Sequence, residues 1–252
     1  MPTRDKIIQE LEKNKGVFIS GEELAKRCNV SRNAVWKNIN ELKKNGYSIR
    51  SVNNRGYMLE KESDIISKSG VILYLLKDPL YETAKDNTER IFVYEELDST
   101  NTEAKRNLFF SDRHMINKTV IIAKKQTAGI GHRGSDFASP DGGIYLSMIL
   151  EPDKIKSKDI RITETVALAV SRVIERLFKV KTEKREDDSI YFGDGKIAGI
   201  LTEGISDLET GIYSNYIIGI GIRMDLLQRQ NSYDIKKNEV IAEIIKELDK
   251  QI

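Results

Sequence analysis

Four side chains at helical spacing, Arg32, Asn33, Lys37 and Asn38, can hydrogen-bond base edges in a major groove, and Arg50 and Arg55 further on can reach phosphate or minor groove. Reading DNA in this way needs a helix that presents donors from its N-terminal half, with basic residues around it. The charge distribution agrees. Net charge is only +2, yet Met1 to Glu60 holds twelve Lys and Arg against seven Asp and Glu, so the basic character sits in the N-terminal quarter. A second stretch spells G-x-G-x-x-G at Gly129, Gly131 and Gly134, with His132 and Arg133 inside it. Taken alone it fits a dinucleotide fold. That reading requires a helix to begin there, whereas Ser135 to Gly143 is a Pro- and Gly-containing loop leading to a strand. His132 can serve as a base or a pH switch, and a solvated loop histidine is the simpler reading. The run Lys184-Arg185-Glu186-Asp187-Asp188 reads on its own as a functional cluster or as a solvated strand end. No Cys/His cluster has metal-ligand spacing. The single cysteine, Cys28, cannot form an internal disulfide, which fits a reducing, cytoplasmic setting with Cys28 as a small buried residue.

The elements that must hold these residues are legible from periodicity. Ile7, Ile8 and Leu11 recur at helical spacing between Arg4 and Lys13, and Gly16 ends that helix. Ser20 with Glu23 three residues on is a capping box, opening a short helix that breaks at Cys28-Asn29-Val30. Ser31 caps a third helix running to about Lys44, with Val35, Trp36, Ile39 and Leu42 on its inner side. Trp36 is expected to pack toward the hairpin that follows, in a structural role. That hairpin spans Tyr47 to Leu59 around Asn53-Asn54-Arg55-Gly56. Three helices and a hairpin predict a winged helix-turn-helix over residues 1–62. The same fold also serves as a protein-interaction module, and the basic surplus favours DNA.

A helix over Ser63 to Lys77 and the polar stretch Asp78 to Glu89 form a connecting segment, residues 63–89. In residues 90–252, strands are expected at Ile91 to Glu95, Thr119 to Lys125, Gly143 to Leu150, Lys196 to Glu203 and Tyr213 to Ile222. Helices are expected at Thr100 to Phe110, Ile160 to Phe178 and Asn238 to Gln251. Several strands follow one another with no helix between them, so the class is α+β with a mixed β-sheet. No apolar run approaches a membrane span, and the expectation is a soluble protein with no membrane partner.

The segment SRNAVWKNINELKKNGYSIRSVNNRGYML resembles the winged helix of bifunctional biotin operon repressors. LDSTNTEAK at Leu97 to Lys105, AKKQTAGIGHRG at Ala123 to Gly134, GGIYLSMIL at Gly142 to Leu150 and KIAGILTE at Lys196 to Glu203 resemble successive signatures of the biotin protein ligase domain. Together they cover about Arg4 to Met224, and they imply a class II synthetase-like biotin/lipoate ligase fold. In that family the domain joins biotin to ATP with magnesium, forms biotinyl-5'-AMP, and passes biotin to a lysine of a biotin carboxyl carrier protein. The adenylate is also a corepressor that promotes homodimerisation and operator DNA binding.

Carried over residue by residue, the resemblance gives Ser99, Thr100 and Gln126 as partners of the ureido ring, with Asn101 beside them. Gly129, His132, Arg133 and Gly134 fall in the family's ligand loop, and Gly199, Ile200 and Leu201 in its ligand-facing strand. Lys184 matches the lysine that meets the biotin carboxylate and the α-phosphate, the catalytic position if the ligase is active. Such a set is physically sensible, since a buried neutral ring needs a few placed donors and acceptors and an acid attacking a phosphate needs a fixed cation. On the DNA side the residues are Ser31, Arg32, Asn33, Lys37, Asn38, Arg50 and Arg55.

Departures from the family pattern fall on the nucleotide side. The loop G-R-G-R-R-G-R-x-W becomes Gly129 to Phe137, GIGHRGSDF, with Ile130, His132 and Ser135 at three arginine positions. The family's K-W-P-N-D becomes Lys184 to Asp188 with Asp187 acidic, and Arg223 replaces an asparagine after the G-I-G-I strand. With 29 residues after Arg223, the family's small C-terminal β domain is expected to be absent. Hydrogen bonds to a charged group contribute about 1.5–3 kcal/mol each, so losing two or three arginines removes several decades of nucleotide binding or rate. The expectation is a DNA-binding repressor whose effector domain senses biotin or a related small acid, with ligation weak or lost. The alternative is an active bifunctional biotin–[acetyl-CoA-carboxylase] ligase and biotin operon repressor in which Arg223 or Arg185 restores phosphate contacts. A third reading is a different ligand, because Phe137, His132 and Asp187 alter the pocket wall.

Overall fold

The computed structural model describes residues 2–82, 89–110, 117–155, 161–185, 188–207, 209–229 and 234–252. Its N-terminal unit is three helices and a hairpin. Helix α1 (Thr3–Lys13) turns Ile7, Ile8 and Leu11 inward. Helix α2 (Gly21–Cys28) begins at Ser20, whose hydroxyl accepts from the Glu23 N–H at 3.0 Å, and α3 (Arg32–Lys44) begins at Ser31, which accepts from the Ala34 N–H at 3.1 Å. Each such cap contributes about 1 kcal/mol and fixes where its helix starts. Strands β1 (Ile49–Val52) and β2 (Gly56–Leu59) pair antiparallel, and Ile19 joins them by exchanging both backbone hydrogen bonds with Tyr57 at 2.8 Å. Gly56 has φ +96°, and a Cβ there would lie 2.1 Å from the Ile19 carbonyl oxygen, so glycine alone lets the wing close on the α1–α2 connection. Leu24, Val35, Ile39, Leu42 and Leu59 make the core. Trp36 differs from expectation: it is 55% exposed, because Val35, Ile39 and Leu42 already fill the inner stripe and Trp36 lies about 100° round the helix from Val35.

The connecting segment is folded into the second unit. Its helix, α4 (Lys68–Leu75), starts five residues later than expected, capped by Ser67, whose hydroxyl accepts from the Gly70 N–H at 3.0 Å. A short α5 (Pro79–Glu82) occupies part of the stretch read as linker. Ile66, Val71, Leu75 and Tyr81 belong to the core of the larger unit.

That unit is built on β3 (Ile91–Leu97), β4 (Val120–Gln126), β5 (Ile144–Leu150), β6 (Glu183–Lys184), β7 (Ser189–Phe192), β8 (Gly195–Ser206) and β9 (Tyr213–Ile222). The strand order is β3-β4-β5-β9-β8-β7-β6, with β3 and β4 parallel and the remaining pairs antiparallel, so the sheet is mixed. Period-two alternation splits its side chains. Ile144, Leu146, Met148 and Leu150 join the core under α7 (Ile162–Phe178) and α9 (Lys237–Gln251), while Ile121, Ile149 and Ile217 pack on the opposite face with Ala104 of α6 (Thr100–Phe110). Strands β6 and β7 and the five-residue α8 (Met224–Gln228) are additions to the elements expected from sequence. The loop from Gly129 enters a single turn of 3₁₀ helix at His132–Gly134 and then an extended chain, with no α-helix at the glycine motif.

Candidate functional site

The register of β5, β9 and β8 prepares a cavity on the α6 face. Ser147 lies opposite Gly219, and Gly219 opposite Leu201; one row along, Tyr145 lies opposite Gly221, and Gly221 opposite Gly199. The glycines leave the sheet surface bare where other side chains must lie. A Cβ on Gly219 would sit 2.5 Å from Asn101 Oδ1, and one on Gly221 would sit 2.3 Å from the Phe137 ring. Asn101 and Phe137 thus rest directly on the sheet backbone. The cavity they help enclose is about 270 Å³ and is lined by Ser99, Thr100, Asn101, Gln126, Ile130, Gly131, His132, Ser135, Asp136, Phe137, Ser189, Lys196, Gly199, Ile200, Leu201, Gly219, Ile220 and Gly221.

Its inner end is neutral and polar. Gln126, at the end of β4, accepts at Oε1 from the Thr100 N–H at 2.7 Å and donates from Nε2 to Ser139 Oγ at 2.8 Å. Ser139 in turn donates to the Phe137 carbonyl at 2.9 Å, and the Phe137 N–H donates to the Gly129 carbonyl at 2.8 Å, which ties the loop to the sheet. Ser147 Oγ lies 2.7 Å from Thr100 Oγ1 and 2.6 Å from Asn101 Oδ1, and Asn101 Nδ2 donates to Glu203 at 2.8 Å. Ser99, Thr100, Asn101, Ser139 and Ser147 are all buried. Outside this end, Arg106 hydrogen-bonds Asp98 and holds its carboxyl below the usual range, pinning the start of α6. Burial pushes the Tyr145 hydroxyl up to about 12, so it stays protonated and donates to the Pro140 carbonyl at 2.8 Å.

The residues chosen from sequence separate into two groups. Ser99, Thr100, Asn101, Gln126, Ile130, His132, Gly199, Ile200 and Leu201 line the cavity; Gly129, Arg133 and Gly134 are in its loop without lining it. Arg223 is not among the lining residues and donates to the Asp225 carboxylate at 3.0 Å. Asp187 is outside the described residues. Lys184 is not among the residues lining this cavity: it stands on β6, two strands or about 10 Å across the sheet from β8, and pairs with Asp188 at 3.4 Å and Glu164 at 3.8 Å. The lysine in the cavity lining is Lys196, the first residue of the KIAGILTE segment. Ser147 and Glu203 are further members of the site to which the motifs assign no role. A serine inside the otherwise apolar run Ile144 to Leu150 is the available signal for Ser147.

On the winged helix, Arg32, Asn33, Trp36, Asn40 and Lys43 share a groove with Ser51 to Asn54 of the wing. Lys43 donates to Ser51 at 2.8 Å and couples helix to wing. Lys37 is exposed, and Asn38, half-buried, is outside the lining of this groove and donates to the Ala34 carbonyl at 2.8 Å; Asn40 lines the groove. Ser31 is engaged as a helix cap, Arg50 pairs with Glu60 at 2.7 Å, and Arg55 lies over the Phe18 ring at 4.4 Å.

Residues 3–58 match an HTH domain family, and residues 93–222 match the biotin/lipoate A/B protein ligase family. The chain is 30% identical over 228 residues to the bifunctional ligase/repressor BirA of Bacillus subtilis (strain 168), covering 90% of this chain and 66% of that one. It is 32% identical over 209 residues to the bifunctional ligase/repressor BirA of Bacillus spizizenii, covering 82% of this chain. The chain thus spans 66% and 61% of the lengths of these two relatives. Among solved structures it resembles a biotin protein ligase from Aquifex aeolicus in complex with biotin and ATP, with TM-score 0.52, 23% identity, and coverage of 64% of this chain and 69% of that one, a likeness of fold. No helix among the described residues is long and apolar enough to cross a membrane.

Proposed function

The chain belongs to the biotin/lipoate A/B protein ligase family, and from that premise we propose that it is a DNA-binding repressor whose ligase-type domain senses biotin, with adenylation and transfer weak or lost. The observation that carries this reading is the composition of the cavity. One end offers neutral hydrogen-bonding groups on Ser99, Thr100 and Gln126, suited to a ureido ring, and the lining includes one lysine, Lys196, suited to the carboxylate of its acid chain. The cavity, about 270 Å³ and open on one side, is at the small end for ligand sites and has room for a biotin-sized acid. Ile130 and His132 occupy loop positions where the family carries arginines, and Arg223 is already paired with Asp225, which leaves less positive charge to meet a triphosphate. A repressor of this design acts as a homodimer, since paired recognition helices about 34–36 Å apart read two half-sites of an operator.

One observation favours a second reading. Lys196 lines the cavity, and a cation there suits a phosphate as well as a carboxylate, as an active bifunctional ligase and repressor with ATP, magnesium and a biotin carboxyl carrier protein would require. Incubation with biotin and Mg-ATP, followed by mass spectrometry, separates the two. The sensor reading expects no biotinyl-5'-AMP and biotin-dependent retention of duplexes from a random DNA pool. Stoichiometric adenylate would establish the ligase reading, and failure to retain DNA under any condition would remove the repressor.

A further inference from the structure

We propose that Glu203 is a positioning residue that sets the direction of the Ser147 and Thr100 hydroxyl hydrogens at the inner end of the cavity, so that Thr100 accepts hydrogen bonds there and selects a ligand ring bearing N–H groups. The inference rests on the reading that the cavity takes biotin.

Counting protons fixes these directions. A carboxylate can only accept, so Asn101 must turn Nδ2 toward Glu203, at 2.8 Å, and Oδ1 toward Ser147, at 2.6 Å. Lys105 donates to the other carboxylate oxygen at 2.7 Å, leaving Oε2 for Asn101. An amide oxygen also only accepts, so the single hydroxyl hydrogen of Ser147 goes to Asn101. The 2.7 Å contact between Ser147 and Thr100 can then be a hydrogen bond only if Thr100 donates. Its alternative acceptor, Gln126 Oε1, is farther, at 3.1 Å, and already takes the Thr100 N–H at 2.7 Å. With its hydrogen turned inward, Thr100 presents lone pairs to the cavity. At the opposite end of the chain of contacts a backbone N–H holds the Gln126 amide with its oxygen toward Thr100, so no member is free to reverse alone.

A wall of this polarity suits a cyclic urea, which brings ring N–H groups. The 1,2-dithiolane ring of lipoate, the other acid in the family's name, has no N–H to offer the lone pairs that Thr100 turns to the cavity.

Titration calorimetry of the full chain with biotin and with lipoate tests this in four proteins: wild type, Glu203→Gln, Lys105→Glu and the double variant. In Glu203→Gln, Lys105 claims the new amide oxygen, the amide N–H faces Asn101, Asn101 turns over, and the Ser147 hydrogen swings to Thr100. The wall then donates, and biotin binding weakens by about 10- to 100-fold. In the double variant the carboxylate introduced at position 105 accepts from the amide introduced at position 203. The oxygen of that amide again faces Asn101, and biotin affinity returns to within about threefold of wild type. Lys105→Glu alone sets two carboxylates together and binds biotin weakly. Unchanged biotin affinity in Glu203→Gln, or no recovery in a double variant that melts like wild type, overturns the inference while leaving biotin as the ligand. If Glu203→Gln fails to fold, the wild type decides: lipoate bound at least about tenfold more weakly than biotin supports the polarity, and equal binding overturns it. A wild type that binds no biotin removes both the functional reading and this inference.

Discussion

Lys196 and Lys184 make different demands on a bound acid. Lys196 lines the cavity, and Lys184 stands outside its lining on the edge strand β6. A hydrogen bond to a charged group contributes about 1.5–3 kcal/mol, so Lys196→Met should weaken biotin binding by about 10- to 100-fold. Lys184→Met should leave affinity within about threefold of wild type, and calorimetric titration of the two variants checks both expectations. The family resemblance gives the role to Lys184 and none to Lys196, and only the sheet order shows that strand β7 lies between the two. Ser99, Thr100 and Gln126 are legible because a motif carries them. The direction of their hydrogen bonds is not, since it depends on Ser147 and Glu203, which lie far apart in the chain and meet only through the register of β5, β9 and β8.

Elements succeed or fail on a few positions. In the wing, Gly56→Ala places a Cβ against the Ile19 carbonyl at positive φ, which should unpair β2 from Ile19 and abolish DNA retention while biotin affinity persists. A gel-shift assay run beside a biotin titration checks this. At the joint between α4 and α9, Asn238 accepts from the Ser67 N–H at 3.0 Å and donates to the Ile65 carbonyl at 3.0 Å, while Gly70 leaves it room. Asn238→Ala strands the buried Ser67 N–H at about 1–3 kcal/mol and the part-buried Ile65 carbonyl at less, and its urea midpoint should fall accordingly. The three N-terminal helices and the hairpin are readable in the sequence because Ser20, Ser31 and Gly56 punctuate them. Strands β6 and β7 are not, because runs of two and four residues carry too little alternation to show a period. Reading α4 as a connector misses that its apolar residues complete a core whose other walls come from α7 and α9.

Across the whole molecule, the winged helix is fastened to the ligase-type domain through buried charge. Lys15 donates to the Ser63 carbonyl at 2.6 Å and pairs with Glu12 at 3.4 Å, and Asp64 accepts from the Lys237 N–H at 2.7 Å. Burial raises the carboxyl pKa of both Glu12 and Asp64, against the opposing pull of Lys15 and Lys237. A raised folded-state pKa means that the native chain holds these protons more tightly than the unfolded one. Their contribution is complete below the ordinary carboxylate range and is lost as pH rises through the raised values. Glu12→Gln, neutral throughout, should therefore gain on wild type in urea midpoint as pH rises from about 4.5 to 7; a difference that stays constant would contradict the burial argument. The two-part architecture is visible in sequence from charge asymmetry and motif order. This fastening is not, since Asp64 and Lys237 lie 173 positions apart. On the sensor reading, the cavity beside Thr100 and Lys196 takes biotin and the site does little chemistry with it. Isothermal titration of the purified chain with biotin, alone and with Mg-ATP, decides whether it does. One biotin bound per chain, with an affinity that Mg-ATP hardly changes, is the expected result; no binding, or binding that tightens by orders of magnitude with Mg-ATP as adenylate forms, would refute the sensor reading.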